Sequence, residues 1–275
     1  MKRSTRFAVV TLALLAVAAL LAPLLGSSPA AIGDVIGGRL LPPLARDPSG
    51  QLHALGTDRL GRDLLLRTLA AGRISLAVGL LGALVAGTLG VVVGAVAGWR
   101  GGAVDRVLMA LTDALLAIPR LVLLLLCVAL WQPSMTTVVA VLAATGWMGI
   151  ARLTRAEVVT ARGRPYVDAA RSLGARSART LWRHVLPNAL GPAIVATTLG
   201  VGSAIMLESG LSFLGLGVQP PAASWGNMIA AGRDVVVSAP WVSLIPGLAV
   251  VVTTTCATVL GDALRDRLAG RKSVR

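Results

Sequence analysis

Polar side chains are scarce in this chain, so those able to do chemistry can be weighed one by one. The densest group lies in "YVDAARSLGARSARTLWRHVLPNAL", Tyr166 to Leu190, where Asp168 stands with Arg171, Arg176, Arg179 and Arg183 among small and apolar residues. A carboxylate among guanidinium groups can form ion pairs or meet a partner's charges, but it supplies no nucleophile. His53 and His184 are isolated, with no Ser/His/Asp or metal-ligand constellation around them, so each reads as a polar surface residue. Cys127 and Cys256 fall inside apolar runs without a CxxC or Cys/His cluster and read as small core residues. Asp113, Pro119 and Arg120 interrupt a further apolar run. Asp113 and Arg120 share a helix face but lie ~10 Å apart along its axis, too far to pair directly. Snorkelling or bundle packing is the preferred reading of both, ahead of a substrate contact. The sequence contains no phosphate loop of the GxxxxGK(S/T) kind. This inventory offers charge placement and recognition rather than catalysis.

The elements that must hold these residues follow from composition. Of 275 residues, 55% are hydrophobic and 14% charged, with a mean hydropathy of +0.79; soluble domains carry about a quarter charged residues. The apolar runs are continuous rather than alternating, which predicts an all-α, polytopic membrane protein and excludes a barrel. A net charge of +14 would raise nucleic acid as a partner in a soluble protein. Here the basic residues sit between apolar runs and aromatics are only 3%, so the expected surroundings are membrane lipid, with no nucleic acid. A span needs about 20 apolar residues. Six runs qualify: Phe7–Gly26, Ile74–Gly98, Val107–Trp131, Met135–Ile150, Ala189–Leu207 and Ala239–Leu260. The first exceeds the ~7–15-residue core of a signal peptide and is followed by other spans, so it reads as retained.

Lysine and arginine set the orientation. With the N-terminus in the cytoplasm, the inside segments 1–6, 99–106, 151–188 and 261–275 hold most of the 26 basic residues, eight of them between Arg152 and Arg183. The outer loop 27–73 departs from the rule with six arginines, diluted by four aspartates. Both termini are expected inside. The chain thus divides into a cytoplasmic tip and first span (1–26), an extracytoplasmic loop (27–73) and a five-helix core (74–275) that includes the cytoplasmic segment 151–188. A second outer segment, 208–238, is rich in Gly and Pro, so regular helix should break there, and Trp225 suits the membrane interface.

The basic segment has a local structure of its own. Pro165 can open a helix, since its missing N–H costs little in the first turn, and Asp168 suits the positive end of that helix's dipole. Gly174 is a natural left-handed stop. Ser177 can cap a second helix with an apolar stripe of Ala178, Leu181, Trp182 and Val185, ended by Pro187. Taken alone, these residues fit a topology signal, a helix lying on headgroups, or an element that docks into a partner's groove.

The run Asp168-Ala169-Ala170, then Gly174, then Leu186-Pro187 resembles the EAA loop of ABC-importer permeases. Asp168 replaces the usual Glu, and His184 stands where Ile is usual. "LGTDRLGRDLLLRTLAAGRISL", "RHVLPNAL", "GLSFLGLGVQPPAASWGNM" and "GDALRDRL" are similar to the second permease subunit of dipeptide/oligopeptide/nickel importers. The resemblance spans residues 50–270 and implies a type I ABC-importer permease fold in the bacterial cytoplasmic membrane. It further implies a second homologous permease subunit, two ATP-binding cassette subunits and an extracytoplasmic substrate-binding protein. Asp168, Ala169, Ala170, Gly174, Leu186 and Pro187 would form the element that couples to the ATPases. No cofactor is expected on this chain; ATP is used by the partner subunits. Peptides are the first expectation for the substrate, nickel or a metal chelate the second. A self-sufficient secondary transporter or channel is a remote alternative, for no clear inverted repeat is present and intramembrane charges are few.

Overall fold

Within a bilayer the backbone has no partner but itself, and a helix satisfies its amides inside the segment. The computed structural model describes residues 3–24, 36–132 and 134–272. It contains α1 (Arg3–Leu21), α2 (Leu64–Arg100), α3 (Gly102–Ala117), α4 (Arg120–Ala129), α5 (Met135–Arg162), α6 (Pro165–Ser172), α7 (Ser177–Thr180), α8 (Leu186–Phe213), α9 (Trp225–Gly232) and α10 (Trp241–Lys272). A short hairpin pairs β1 (Ala45–Arg46) with β2 (Leu52–His53). Among the described residues five helical stretches are long and apolar enough to cross a membrane, six if α3 and α4, a pair bent by 90°, count as one broken span. The expected end of the first span at Gly26 lies outside the described residues, as do Lys2 and Arg275.

The spans depart from expectation in length and in one break. Val107–Trp131, read as a single span, is divided between α3 and α4. A proline ring disfavours helical backbone at the residue before it, and Ile118 is extended at φ −82°, ψ 128°. α2 starts ahead of Ile74 because Asp63 caps it, accepting the Leu66 N–H at 3.0 Å. α5 continues past Ile150 to Arg162, and α10 past Leu260 to Lys272. These extensions are polar enough to escape a search for apolar runs, yet they are helical.

α2 is the centre of the bundle, parallel to α5 and antiparallel to α8. Its glycines at 90, 94 and 98 recur every fourth residue towards α5. A Cβ at Gly90 would stand 2.6 Å from the Trp147 carbonyl oxygen, and one at Gly98 2.8 Å from that of Arg155. Only a hydrogen side chain permits such backbone approach. Ion pairs then tie α5 to α3. Arg155 donates to both oxygens of Asp105, at 3.0 and 2.6 Å, and Arg152 Nε donates to Asp113 at 2.9 Å. Asp113 therefore finds its cation on another helix, which spacing within one helix could not reveal.

The end of the bundle opposite Arg100 and Arg162 is held by polar bonds. Glu208 is fully buried and accepts from Ser212 Oγ at 2.7 Å and Ser75 Oγ at 3.3 Å. The Trp225 N–H donates to Ser75 Oγ at 3.0 Å, and its indole N–H to the Thr68 carbonyl at 2.9 Å. Trp225 is thus a core residue and not an interface anchor, because its indole finds an acceptor inside the protein. His53 also departs from the surface reading: it is 4% exposed, with Nδ1 2.8 Å from Asp63 Oδ2. Nearby, Asp58 accepts from the backbone of Leu60 and Arg62 and pairs with the Arg62 and Arg67 side chains. Both cysteines are free, Cys256 buried and Cys127 half-buried.

Candidate coupling segment

Between α5 and α8 the chain leaves the bundle in two short helices. Pro165 occupies the first turn of α6, as expected, and Asp168 follows in the same turn. Asp168 is well exposed, with Arg171 Nη1 3.7 Å away, an exposed pair that contributes little to stability. α6 then ends at a left-handed glycine. Gly174 has φ +76°, its N–H bonds the Arg171 carbonyl at 2.9 Å, and the Ala175 N–H bonds that of Ala170 at 3.0 Å. This double closure is the Schellman stop, and glycine makes it without Cβ strain.

The second helix departs from expectation twice. Arg176, not Ser177, is the N-cap residue of α7, and it makes no side-chain capping bond. Ser177 Oγ instead accepts the Trp99 indole N–H at 2.8 Å. Nor does Pro187 end the helix. Residues Leu181–Val185 form a π-helical turn in which the Leu186 N–H reaches back to the Leu181 carbonyl. In an α-helix the Pro187 ring would collide with the carbonyl four residues before it, and the wider turn makes room. α7 and α8 consequently join into one continuous stretch, Ser177–Phe213. The expected stripe divides as well. Leu181 and Val185 are buried, whereas Ala178 and Trp182 are exposed, because the bundle offers only the narrow ends of two helices.

Those ends receive the segment in a single apolar cluster. Val167, Leu181, Val185 and Leu186 pack with Ala95 of α2 and with Val158 and Ala161 of α5. Val167 and Val185 are fully buried; burying a side chain of this kind is worth ~1.5–3 kcal/mol. Trp99, at the end of α2, adds a strap that the sequence reading did not single out. Its indole holds Ser177, its carbonyl accepts Arg162 Nη1 at 3.0 Å, and the Arg171 guanidinium lies 5.2 Å from its ring centroid. The available signal was a tryptophan at the close of an apolar run, immediately before Arg100.

The six residues carried over from the EAA pattern thus separate by role. Asp168, Ala169 and Gly174 are exposed on the outer side of α6 and its turn, and Ala170 is half-buried beneath them. Leu186 is buried in the anchoring cluster, and Pro187 is exposed beside the π-turn. Such an arrangement presents a small-residue knob outward while apolar side chains bind it to α2 and α5.

Residues 90–271 match the family described as the inner membrane component of binding-protein-dependent transport systems. The oligopeptide transport system permease OppC of Bacillus subtilis is 37% identical over 82% of this chain and 73% of its own length. The dipeptide transport system permease DppC of the same organism is 40% identical over 80% of this chain and 69% of its own. A putative peptide transport system permease of Brucella suis is 39% identical over 99% of this chain and 90% of its own. Among solved structures, the inward-facing MetNI methionine ABC transporter has a chain that superposes with a TM-score of 0.60 at 16% identity, over 74% of this chain and 96% of that one. At that identity the likeness concerns the fold, which is that of an ABC-importer transmembrane subunit. With the family match over residues 90–271 and these relatives together, the chain belongs to the family of binding-protein-dependent transport inner membrane components, as a permease subunit of an ABC importer.

Proposed function

We propose that this chain forms half of a peptide translocation pathway and that its Asp168–Pro187 segment receives the stroke of partner ATPases. The observation that carries the coupling role is the two-sided construction of the segment. Asp168, Ala169 and Gly174 face outward, while Val167, Leu181, Val185 and Leu186 lock the same segment to α2 and α5. A groove closing on the knob would therefore push on two spans at once. The peptide substrate is supported by the relatives, which are named as oligopeptide, dipeptide and peptide permeases. The working assembly pairs this chain with a homologous permease, two ATP-binding cassette subunits on the cytoplasmic face and a binding protein on the other. The two termini and the basic segment then lie in the cytoplasm, and ATP is bound and hydrolysed by the partners.

The test is ATP-driven, binding-protein-dependent uptake of radiolabelled di- and oligopeptides by the assembly reconstituted in proteoliposomes. Uptake should require all the subunits, and Asp168→Lys should abolish it while the complex still reaches the membrane. Peptide uptake by this chain alone would refute the reading, and so would wild-type uptake by Asp168→Lys.

A further inference from the structure

Several charges on the membrane helices are compensated. Asp105 is held by Arg155, Asp113 by Arg152, and Arg67 by Asp58. Arg120 makes no ion pair or hydrogen bond among the described residues. It opens α4 directly after the Ile118–Pro119 break, and its Nη2 lies against α5, 3.3 Å from where a Cβ on Gly146 would stand. Gly146 is eleven residues along α5 from Met135 and six before Arg152, ~9 Å at 1.5 Å per residue, which places this guanidinium in the inner half of the span. Arg120 is exposed in the chain by itself, and an unpaired cation on a membrane span marks a functional site by default.

Arg120 also lines a half-open cavity of about 270 Å³ bordered by α2, α4, α5 and α8. The other walls are formed largely by small residues, among them Gly82, Ala86, Gly146, Gly149 and Gly200. Hydrogen and methyl side chains leave room and make no distinction among substrate side chains. Among the described residues the one charged group lining the space is the Arg120 guanidinium, whose fork of N–H donors matches a carboxylate in both charge and shape. A permease that accepts peptides of varied sequence must hold what they share, and every unmodified peptide ends in a carboxylate. We propose that Arg120 is the substrate-recognition residue of the translocation cavity and takes the C-terminal carboxylate of the passing peptide. The proposal rests on the peptide-permease reading above and names the contact within it.

The test uses the complete reconstituted transporter, with maximal uptake rates for one peptide and for its C-terminal amide. Arg120→Gln should lower uptake of the free-acid peptide about ten-fold or more, as expected for loss of a charge-assisted hydrogen bond. Uptake of the amide should change less than about two-fold, and Arg120→Lys should keep most of the free-acid rate. A second readout does not depend on what the binding protein loads. In a Cys127→Ser background, Arg120→Cys should regain free-acid uptake when its thiol is modified with an ammonium-bearing methanethiosulfonate, and not with a sulfonate-bearing one. Equal losses for acid and amide, or equal effects of the two reagents, would overturn the proposal and leave Arg120 a packing residue. Free-acid uptake by Arg120→Gln at the wild-type rate would overturn it as well. If the wild-type assembly takes up neither peptide form, the peptide-permease reading itself fails, and this inference with it.

Discussion

Gly174 offers a substitution whose strain and whose docking cost run in opposite orders. Its backbone sits at φ +76°, and a Cβ built on it meets no atom of the chain within 4 Å. Within this chain a side chain there costs only the left-handed conformation, ~1–2 kcal/mol for an ordinary residue such as Ala. Asn and Asp, which visit that region more readily, cost less. The bonds at risk are the two that close α6, and neither belongs to the membrane-spanning core. Gly174→Ala should therefore insert normally and lower the thermal midpoint by about 2–8 °C, with Asn and Asp causing smaller shifts. If the turn enters an ATPase groove, the order for transport reverses. Ala adds one methyl group, Asn adds a longer side chain, and Asp adds bulk with a buried charge. Reconstituted peptide uptake should then fall in the order Ala, Asn, Asp, with Asp at least ten-fold down although its fold is the less disturbed. The assay is uptake and thermal unfolding on the same preparations. Uptake losses that follow backbone strain, with Ala worst, would show that the turn matters only to the chain's own stability. Wild-type uptake in all three would remove it from the coupling element altogether.

Other substitutions test the frame behind the segment. Gly94→Val should overpack the α2–α5 contact, where a Cβ would lie 2.8 Å from Thr154 Cβ, and should cost about 1–3 kcal/mol or more. Gly247→Ala, with open space around it, should instead stabilise α10 by about 1 kcal/mol through helix propensity; thermal unfolding of the two side by side separates crowding from propensity. Glu208→Leu should leave the Ser75 and Ser212 hydroxyls without their acceptor, at about 1–3 kcal/mol each, and should speed limited proteolysis between Leu214 and Ser224. Glu208→Gln should be milder on both readouts. Trp99→Phe removes the donor to Ser177 but keeps a ring for Arg171, so hydrogen exchange in α7 should quicken by less than ten-fold, and more in Trp99→Ala.

The parts of this structure that were legible in the sequence are those set by local rules. Apolar runs of membrane length gave the spans, and the helix-opening role of Pro165 and the left-handed stop at Gly174 followed from backbone sterics. What escaped depends on distance or on competition. Asp113 and Arg152 are 39 residues apart in sequence, and no periodicity connects them. Trp225 and His53 are polar-tipped residues whose burial was decided by acceptors on other segments, the Thr68 carbonyl and the Asp63 carboxylate. Prolines were the hardest to judge. Pro119 broke a helix that could have been merely kinked, whereas Pro187 failed to stop one, because a π-turn accommodated its ring. The rule at each is the same, and the packing around it decides which outcome is cheaper.

The same competition determines where motion can enter the bundle. Val167 and Leu181 land on α2 and α5, whose backbones meet through Gly90, Gly94 and Gly98 without side chains to yield between them. A displacement of the segment must therefore carry α2 and α5 together. Arg152 and Arg155 bind α3 to that pair through Asp113 and Asp105, so α3 follows. α4 is different: it joins α3 through the extended Ile118–Pro119 corner, and it packs on α5 through apolar side chains, Leu124 and Val128 clustered with Val138 and Leu142. Apolar contacts slide at less cost than bidentate ion pairs break. The corner is then the joint at which the span bends, and Arg120, the first residue beyond it, is the charge that such bending would swing across the cavity.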